Sequence, residues 1–236
     1  MRKTRSLLKT KNLSFIIIIL AISILLTGCK REGEVVDNSE KTGDNSGSMT
    51  NNIQKTEADK YCEGKTGQKA CPAKGEEVAK LETNYGTITI KLFPDKAPKT
   101  VANFKKLIGE GFYDDLIFHR VIEGFMVQGG DPSGDGTGGP DYTIDAEIAT
   151  GLSHIAGAIA TARLGDEVNP EKASSGSQFY IVHDDTGAKG LDDEYTIFGQ
   201  VVLGQNIVEK IAQAETDSSD KPLQDVIIKK AYLVKY

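Results

Sequence analysis

Tryptophan is absent from the 236 residues, and His, Cys and Met number only three each. Three histidines leave little material for a multi-His metal centre. Three cysteines exclude a disulfide-dense miniprotein. An excess of positive charge is also missing: 28 Lys and Arg stand against 34 Asp and Glu, a net of −6, which argues against general nucleic-acid binding. The 25 Gly are about a tenth of the chain, far below a collagen repeat, and no internal repeat is visible. Hydrophobic residues at 39%, with glycine added, reach the globular norm and exclude a wholly disordered chain. The length allows one ordinary domain with extensions, or two small ones.

The one long apolar run is too short to be a comfortable membrane span. Leu13–Leu26 is fourteen residues without a charge, after a stretch carrying Arg2, Lys3, Arg5, Lys9 and Lys11 and no acid. A spanning helix needs roughly 20 apolar residues. The layout is that of a secretory signal over residues 1–28, with an uncleaved anchor as the alternative. The run ends in Leu26-Thr27-Gly28-Cys29, which resembles the bacterial lipobox. The expectation is a covalent lipid on Cys29 that anchors the chain at the outer face of the cell membrane without spanning it. Removal of residues 1–28 takes five positive and no negative charges, leaving 23 against 34, a net of −11 over 208 residues. Such a body is repelled by anionic lipid, so the membrane is an anchor point and not the working surface.

Residues 29–76 read as the lipidated Cys followed by a solvated linker. Large apolar residues are scattered there, and the composition cannot offset ordering entropy. As a coil of about 46 residues it reaches on the order of 35–40 Å. Cys62 and Cys71 lie in this arm, nine positions apart. Outside the cytosol they can close a small disulfide loop. Zinc is the rival, with no His nearby to complete a site, and two unpaired thiols are the remaining alternative.

From residue 77 to 236 the pattern is that of one folded domain. Val78–Leu81 and Thr87–Phe93 alternate as strands around the turn Asn84-Tyr85-Gly86. Pro98 opens a helix with Val101, Phe104, Leu107 and Ile108 at helical spacing, stopped by Gly109 and Gly111. Leu116–Ile122, Phe125–Gln128, Ile155–Ala162, Ser177–Val182, Thr196–Val202 and Val226–Val234 read as further strands. Gln205–Ala214 reads as a second helix. Many short strands with two helices suggest a β-barrel or sandwich capped by helices.

The segment Phe118-His119-Arg120-Val121-Ile122-Glu123-Gly124-Phe125-Met126-Val127-Gln128-Gly129-Gly130-Asp131 resembles the signature block of cyclophilin-type peptidyl-prolyl isomerases. Ala97–Phe104, Gly134–Pro140, Ser175–Ile181 and Leu191–Gly199 match further blocks of that family, in order. The resemblance covers about residues 78–236. It implies a closed eight-stranded antiparallel β-barrel capped by two α-helices. It also implies an enzyme that accelerates X–Pro isomerisation in proline-containing polypeptides, working as a monomer and without cofactor or metal. With the export signal, the clients would be exported proteins that are still folding.

An X–Pro bond rotates slowly because C–N resonance holds it planar; the barrier is about 18–20 kcal/mol, and unaided exchange takes roughly 10–100 s. The twisted state has lost that resonance, and the proline nitrogen carries a lone pair. A fixed donor aimed at that nitrogen and a dry seat for the ring suffice. The resemblance assigns the donor to Arg120, whose group type holds a permanent charge in a planar fork. Phe125 and Met126, with Tyr180 and Leu191, would form the proline pocket, and Tyr195 would be a further substrate-binding residue. Gln128 would bond the substrate backbone and help hold Arg120. Ala162 and Arg163 would pair with the residues before proline, and Gln178 would line the same groove. Strand alternation places Phe118 and Arg120 on one face and His119 on the other, as a structural residue.

Three departures stand out. Gly190 occupies the place of a pocket Trp that many members carry, Tyr195 the place of a His, and Tyr180 that of the commoner Phe. These imply a wider, more polar rim and weak binding of cyclosporin-like inhibitors. Leu164–Ser174 is longer than the usual family loop. Other signals are weak. Gly134–Gly139 fits G-x-G-x-x-G, but Pro140 and a strand-like segment follow where a helix is needed. Asp131–Tyr142 lacks the terminal Glu of a calcium loop. Asp192-Asp193-Glu194 reads as a solvated turn. A non-enzymatic holdase that keeps the groove is the rival reading, and the intact Arg120, Phe125, Met126 and Gln128 favour the enzyme.

Overall fold

A tight hairpin starts the domain. β1 (Glu77–Thr83) and β2 (Gly86–Leu92) pair antiparallel, with Thr83 opposite Gly86. The Thr83 hydroxyl fixes the turn: it donates to the Gly86 carbonyl and accepts from the amides of Tyr85 and Gly86. In this computed structural model residues 62–236 are described. The signal segment, Cys29 and the linker up to residue 61 lie outside the described residues.

α1 (Pro98–Gly109) follows the hairpin, with proline in its first turn where a missing N–H costs nothing. The Glu147 carboxylate, distant in sequence, accepts from the amides of Lys99 and Thr100 and caps that end. The other end closes at Gly111, φ 69°. There the Gly111 amide bonds the Ile108 carbonyl and the Phe112 amide bonds that of Leu107, the Schellman arrangement that favours glycine. Val101, Phe104, Leu107 and Ile108 are buried along one face.

The remaining elements are β3 (Arg120–Ile122), β4 (Met126–Gly129), β5 (Thr143–Ile144), β6 (Ala158–Thr161), β7 (Ser174–Ser175) and β8 (Phe179–Val182). After them come the one-turn α2 (Asp185–Ala188), β9 (Ile197–Leu203), α3 (Gln205–Ala212) and β10 (Ile228–Lys235). Gly204, φ 93°, lets the chain turn from β9 into α3.

Eight strands form one curled antiparallel sheet in the order β10-β1-β2-β9-β6-β8-β4-β3; β5 and β7 form a separate pair. The expected closed barrel is corrected here: the sheet has two ends, and no ladder joins β3 to β10. The segments before those strands meet through one isolated bridge, Ile117 with Ile227, and through amide–carbonyl bonds such as Phe118 to Val226. β3 is only three residues long, too short to carry a ladder across the gap.

Alternation divides the sheet into two faces. Val127, Ile159, Phe179 and Ile181 point into the main core with α1 and α3; Met126, Ala158, Ala160, Tyr180 and Val182 form a second apolar cluster on the other face. Phe104 anchors the main core, its ring centroid 5.1–5.8 Å from those of Tyr113, Phe179 and Phe198. Alternation does not run through the strand before Arg120. Phe118 is fully buried in the core while Arg120 faces outward, because β3 begins only at Arg120.

The end of the linker is also folded onto the domain. Cys62 and Cys71 form a disulfide, Cα–Cα 5.1 Å, and Cys62 is buried. Within the loop, Gln68 binds Ser153 through both its amide oxygen and nitrogen, and donates to Gln200. The Lys91 ammonium lies 3.4 Å from the carbonyls of Ala70 and Cys71. Gly75 and Glu76 bond Tyr236. The expectation of a solvated arm is therefore corrected over residues 62–76. A covalent closure and hydrogen bonds hold this strap, with only Cys62 and Pro72 buried, so hydropathy does not register it.

Candidate active site

The register of four strands lines up one row of side chains on the outward face. Arg120 pairs with Gln128, Gln128 with Tyr180, and Tyr180 with Ala160. A second row runs Ile122–Met126–Val182. Next to these rows is a pocket of about 120 Å³ lined by Arg120, Phe125, Met126, Gln128, Ala162, Arg163, Tyr180, Leu191 and Tyr195. That volume is well below the 300 Å³ or more typical of drug-sized ligands, and is on the scale of one small ring. It continues into a larger groove of about 670 Å³ past Gly136–Gly139, Tyr142, Leu164, Val168 and Gln178.

Every residue that the sequence reading places at the site lines this pocket, except Gln178. The Gln178 side chain lies in the neighbouring groove, donating to the carbonyls of Gly136 and Gly138 and accepting from the Gln128 amide at 3.0 Å. Gln128 is thus held by Gln178. The partner of Arg120 is instead Asp220, whose carboxylate lies 3.4 Å from Nε. The Asp220 carbonyl accepts from the Val121 amide, pinning that loop beside β3. The Nη groups of Arg120 have no partner among the described residues.

The backbone expectation also divides. The Ala162 amide donates to Gln178 and its carbonyl accepts from Ser175, so both are engaged within the fold. The backbone amide and carbonyl of Arg163 have no partner among the described residues. The Arg163 side chain is buried and structural. It donates to the Glu194 carbonyl and carboxylate, the Leu164 carbonyl and Asp166, and its guanidinium carbon sits 4.5 Å over the Tyr195 ring. With the Lys172–Glu194 pair, it ties the long 164–174 loop to the pocket wall. Glu194 and Asp192 are therefore anchored, not members of a merely solvated turn.

Beneath the pocket lies an arrangement that sequence spacing did not reveal. The Tyr180 hydroxyl is 2.9 Å from His154 Nε2, and His154 Nδ1 is 2.8 Å from the Asp192 carboxylate. Burial pushes the His154 imidazole below its ordinary pKa, partly opposed by Asp192. Burial likewise pushes the Tyr180 phenol up. Positions 154, 180 and 192 follow no short motif; the only available signal is that a buried tyrosine needs an acceptor. His119 is also buried, and neither ring nitrogen has a hydrogen-bond partner among the described residues.

A small pocket beside an arginine, next to an extended groove with free backbone groups, has a size and shape that suit one ring of an extended peptide. A family model agrees: residues 78–233 match the cyclophilin type peptidyl-prolyl cis-trans isomerase/CLD family. A peptidyl-prolyl cis-trans isomerase of Schizosaccharomyces pombe is 43% identical over 155 residues, 64% of this chain and 95% of that protein. A peptidyl-prolyl cis-trans isomerase-like protein of Rhizopus delemar is 42% identical over 161 residues, 66% of this chain; the match spans only 28% of that longer protein. The crystal structure of a Cryptosporidium parvum cyclophilin, obtained in the presence of the dipeptide Ala-Pro, is 32% identical. It superposes with a TM-score of 0.62 over 67% of this chain and 99% of its own. The chain belongs to the cyclophilin family. Residues 78–233 are its cyclophilin-type peptidyl-prolyl cis-trans isomerase domain, of a family whose substrates are proline-containing polypeptides.

Proposed function

We propose that this chain isomerises X–Pro bonds in exported polypeptides, with Arg120 as the catalytic donor and a lipid on Cys29 as the tether. The observation that carries the mechanism is the in-register row that sets the Arg120 side chain at the mouth of the Phe125–Met126 pocket. The pyrrolidine ring enters the seat formed by Phe125, Met126, Tyr180 and Leu191. The preceding residues run along the groove as an added extended strand, bonded to the free backbone groups of Arg163. As the amide twists, the proline nitrogen regains its lone pair and an Arg120 Nη–H donates to it. That bond is made only in the twisted state, so it lowers the barrier and not merely the ground state. No covalent intermediate forms.

The export half of the reading rests on the signal-like residues 1–28, the lipobox-like Leu26–Cys29 and a disulfide suited to an oxidising compartment. The deciding experiment follows cis-to-trans relaxation of a proline tetrapeptide with the full chain and with Arg120→Ala. Removal of one preorganised donor costs on the order of 10²–10³ in kcat. Acceleration that survives in the variant removes Arg120 from the mechanism. A folded parent chain that gives no acceleration refutes the catalytic reading. Cys29→Ser moving the chain from the detergent to the aqueous phase checks the tether.

A further inference from the structure

We infer that His154 is a positioning residue for the prolyl pocket: held in one tautomer by Asp192, it accepts a hydrogen bond from the Tyr180 hydroxyl and so sets the Tyr180 ring against the substrate proline. The inference rests on the reading of this pocket as the proline seat.

The problem that His154 solves is created by Tyr180. A phenol in an apolar seat carries a hydroxyl that must be satisfied, since an unpaired buried donor is costly. Without an internal acceptor, the ring would turn its oxygen toward the pocket or admit a water. Tyr180 is only 5% exposed, and its hydroxyl points away from the pocket to His154 Nε2 at 2.9 Å.

Asp192 settles which way that bond runs. One carboxylate oxygen lies 2.8 Å from His154 Nδ1 and 2.7 Å from the His154 backbone amide. A carboxylate is acceptor-only, so Nδ1 carries the proton and Nε2 is left with a lone pair. The Tyr180 O–H therefore donates to Nε2. The two rings lie nearly parallel, 16° apart, and Tyr195 meets Tyr180 edge-on at 5.8 Å. The His154 side chain is fully buried and does not line the pocket. It acts on the substrate only through Tyr180. The strap braces the same loop from outside, because Gln68 holds both the amide and the carbonyl of Ser153.

A ring grip acts on the planar and the twisted substrate alike, so its loss raises KM more than it lowers kcat. In the full chain, His154→Phe is expected to raise KM about tenfold with a smaller change in kcat. His154→Gln, which can still donate to Asp192 and accept from Tyr180, recovers most of that loss. In a Tyr180→Phe background, where no hydroxyl remains to be placed, adding His154→Phe brings no further rise. Should His154→Phe not fold, Asp192→Leu gives the same reading from a partly exposed site. The ring is then free to move its proton to Nε2, the ¹⁵N shifts report the change, and KM rises. An unchanged KM in these variants, a loss confined to kcat, or an equal loss in the Tyr180→Phe background overturns the inference. Titration of the parent chain with an Ala-Pro peptide tests the seat itself. No response at the Met126 methyl removes the pocket reading, whereas a response alongside neutral His154 and Asp192 variants removes only the role of His154.

Discussion

Replacing both strap cysteines, Cys62→Ser with Cys71→Ser, tests whether the strap belongs to the cooperative fold. The two lie nine positions apart, so the cross-link closes a loop of about ten residues. Loop-closure entropy for that length is about 9 cal/mol/K, or about 2.7 kcal/mol at 25 °C. This reaches the domain only if strap and sheet unfold together. The couplings are specific: Gln68 to Ser153 and Gln200, Lys91 to two strap carbonyls, and the Gly75–Glu76 backbone to Tyr236, the residue after β10. For a domain of this size, about 1 kcal/mol shifts Tm by roughly 2–4 °C. The expected fall is then about 5–10 °C, read by scanning calorimetry on the full chain. Amide exchange at Ser153 should quicken in parallel, because its acceptor is on the strap. An unchanged Tm with one sharp transition would show that the strap opens by itself, and the coupling argument would fail.

Acid should destabilise the domain from near neutrality. Burial pushes the imidazoles of His119 and His154 below their ordinary range. The unfolded chain therefore takes up protons at about pH 6.5 while the folded chain does not. The stability held by these neutral rings is complete above that pH and is lost as pH falls through the lower folded values. Burial tends to raise the Asp192 carboxyl, but bonds from the His154 amide and ring outweigh it and leave it lowered, so its contribution disappears only below about pH 4. A Tm that stays constant or rises as pH drops through about 6 would contradict this. Next in sequence to Leu191 of the pocket lining, a Cβ added to Gly190 meets nothing within 4 Å. Gly190→Trp is therefore expected to fold and to bind a cyclosporin-like inhibitor about tenfold or more tightly than the parent, measured by titration. Equal affinity for the two would show that residue 190 does not set the affinity for such inhibitors.

The parts legible in sequence were those written in local periodicity. The β1–β2 hairpin has its turn residues and alternation side by side, and α1 shows its buried face at helical spacing between Pro98 and Gly111. Sheet closure is not local. It depends on how far β3 and β10 extend, and three residues of β3 are too few to join the ends. The face of Arg120 was legible only through its resemblance to a family signature, because the alternation that would place Phe118 beside it breaks before β3 begins. Asp220, His154 and Asp192 stayed hidden. Each reaches the site across tens of residues of sequence, as a partner to a group already there. The Cys62–Cys71 link was legible from the spacing of the two cysteines, but the docking of the strap escaped for another reason: polar composition reports how little apolar surface it buries, not how many hydrogen bonds tie it to the sheet.

Arg120 sits on the last strand of the sheet, while Met126, Tyr180 and Ala160 sit on strands flanked on both sides. A flanked strand is clamped by two ladders, and a marginal one by a single ladder, here supplemented by the Asp220 loop. Marginal strands open at lower free-energy cost than central ones. The molecule thus has a stiff side and a compliant side, and the pocket lies on the boundary. A bond that must turn about its own axis suits such a boundary: the proposed ring seat stays still while the proposed donor, on the yielding margin, follows the nitrogen as it pyramidalises.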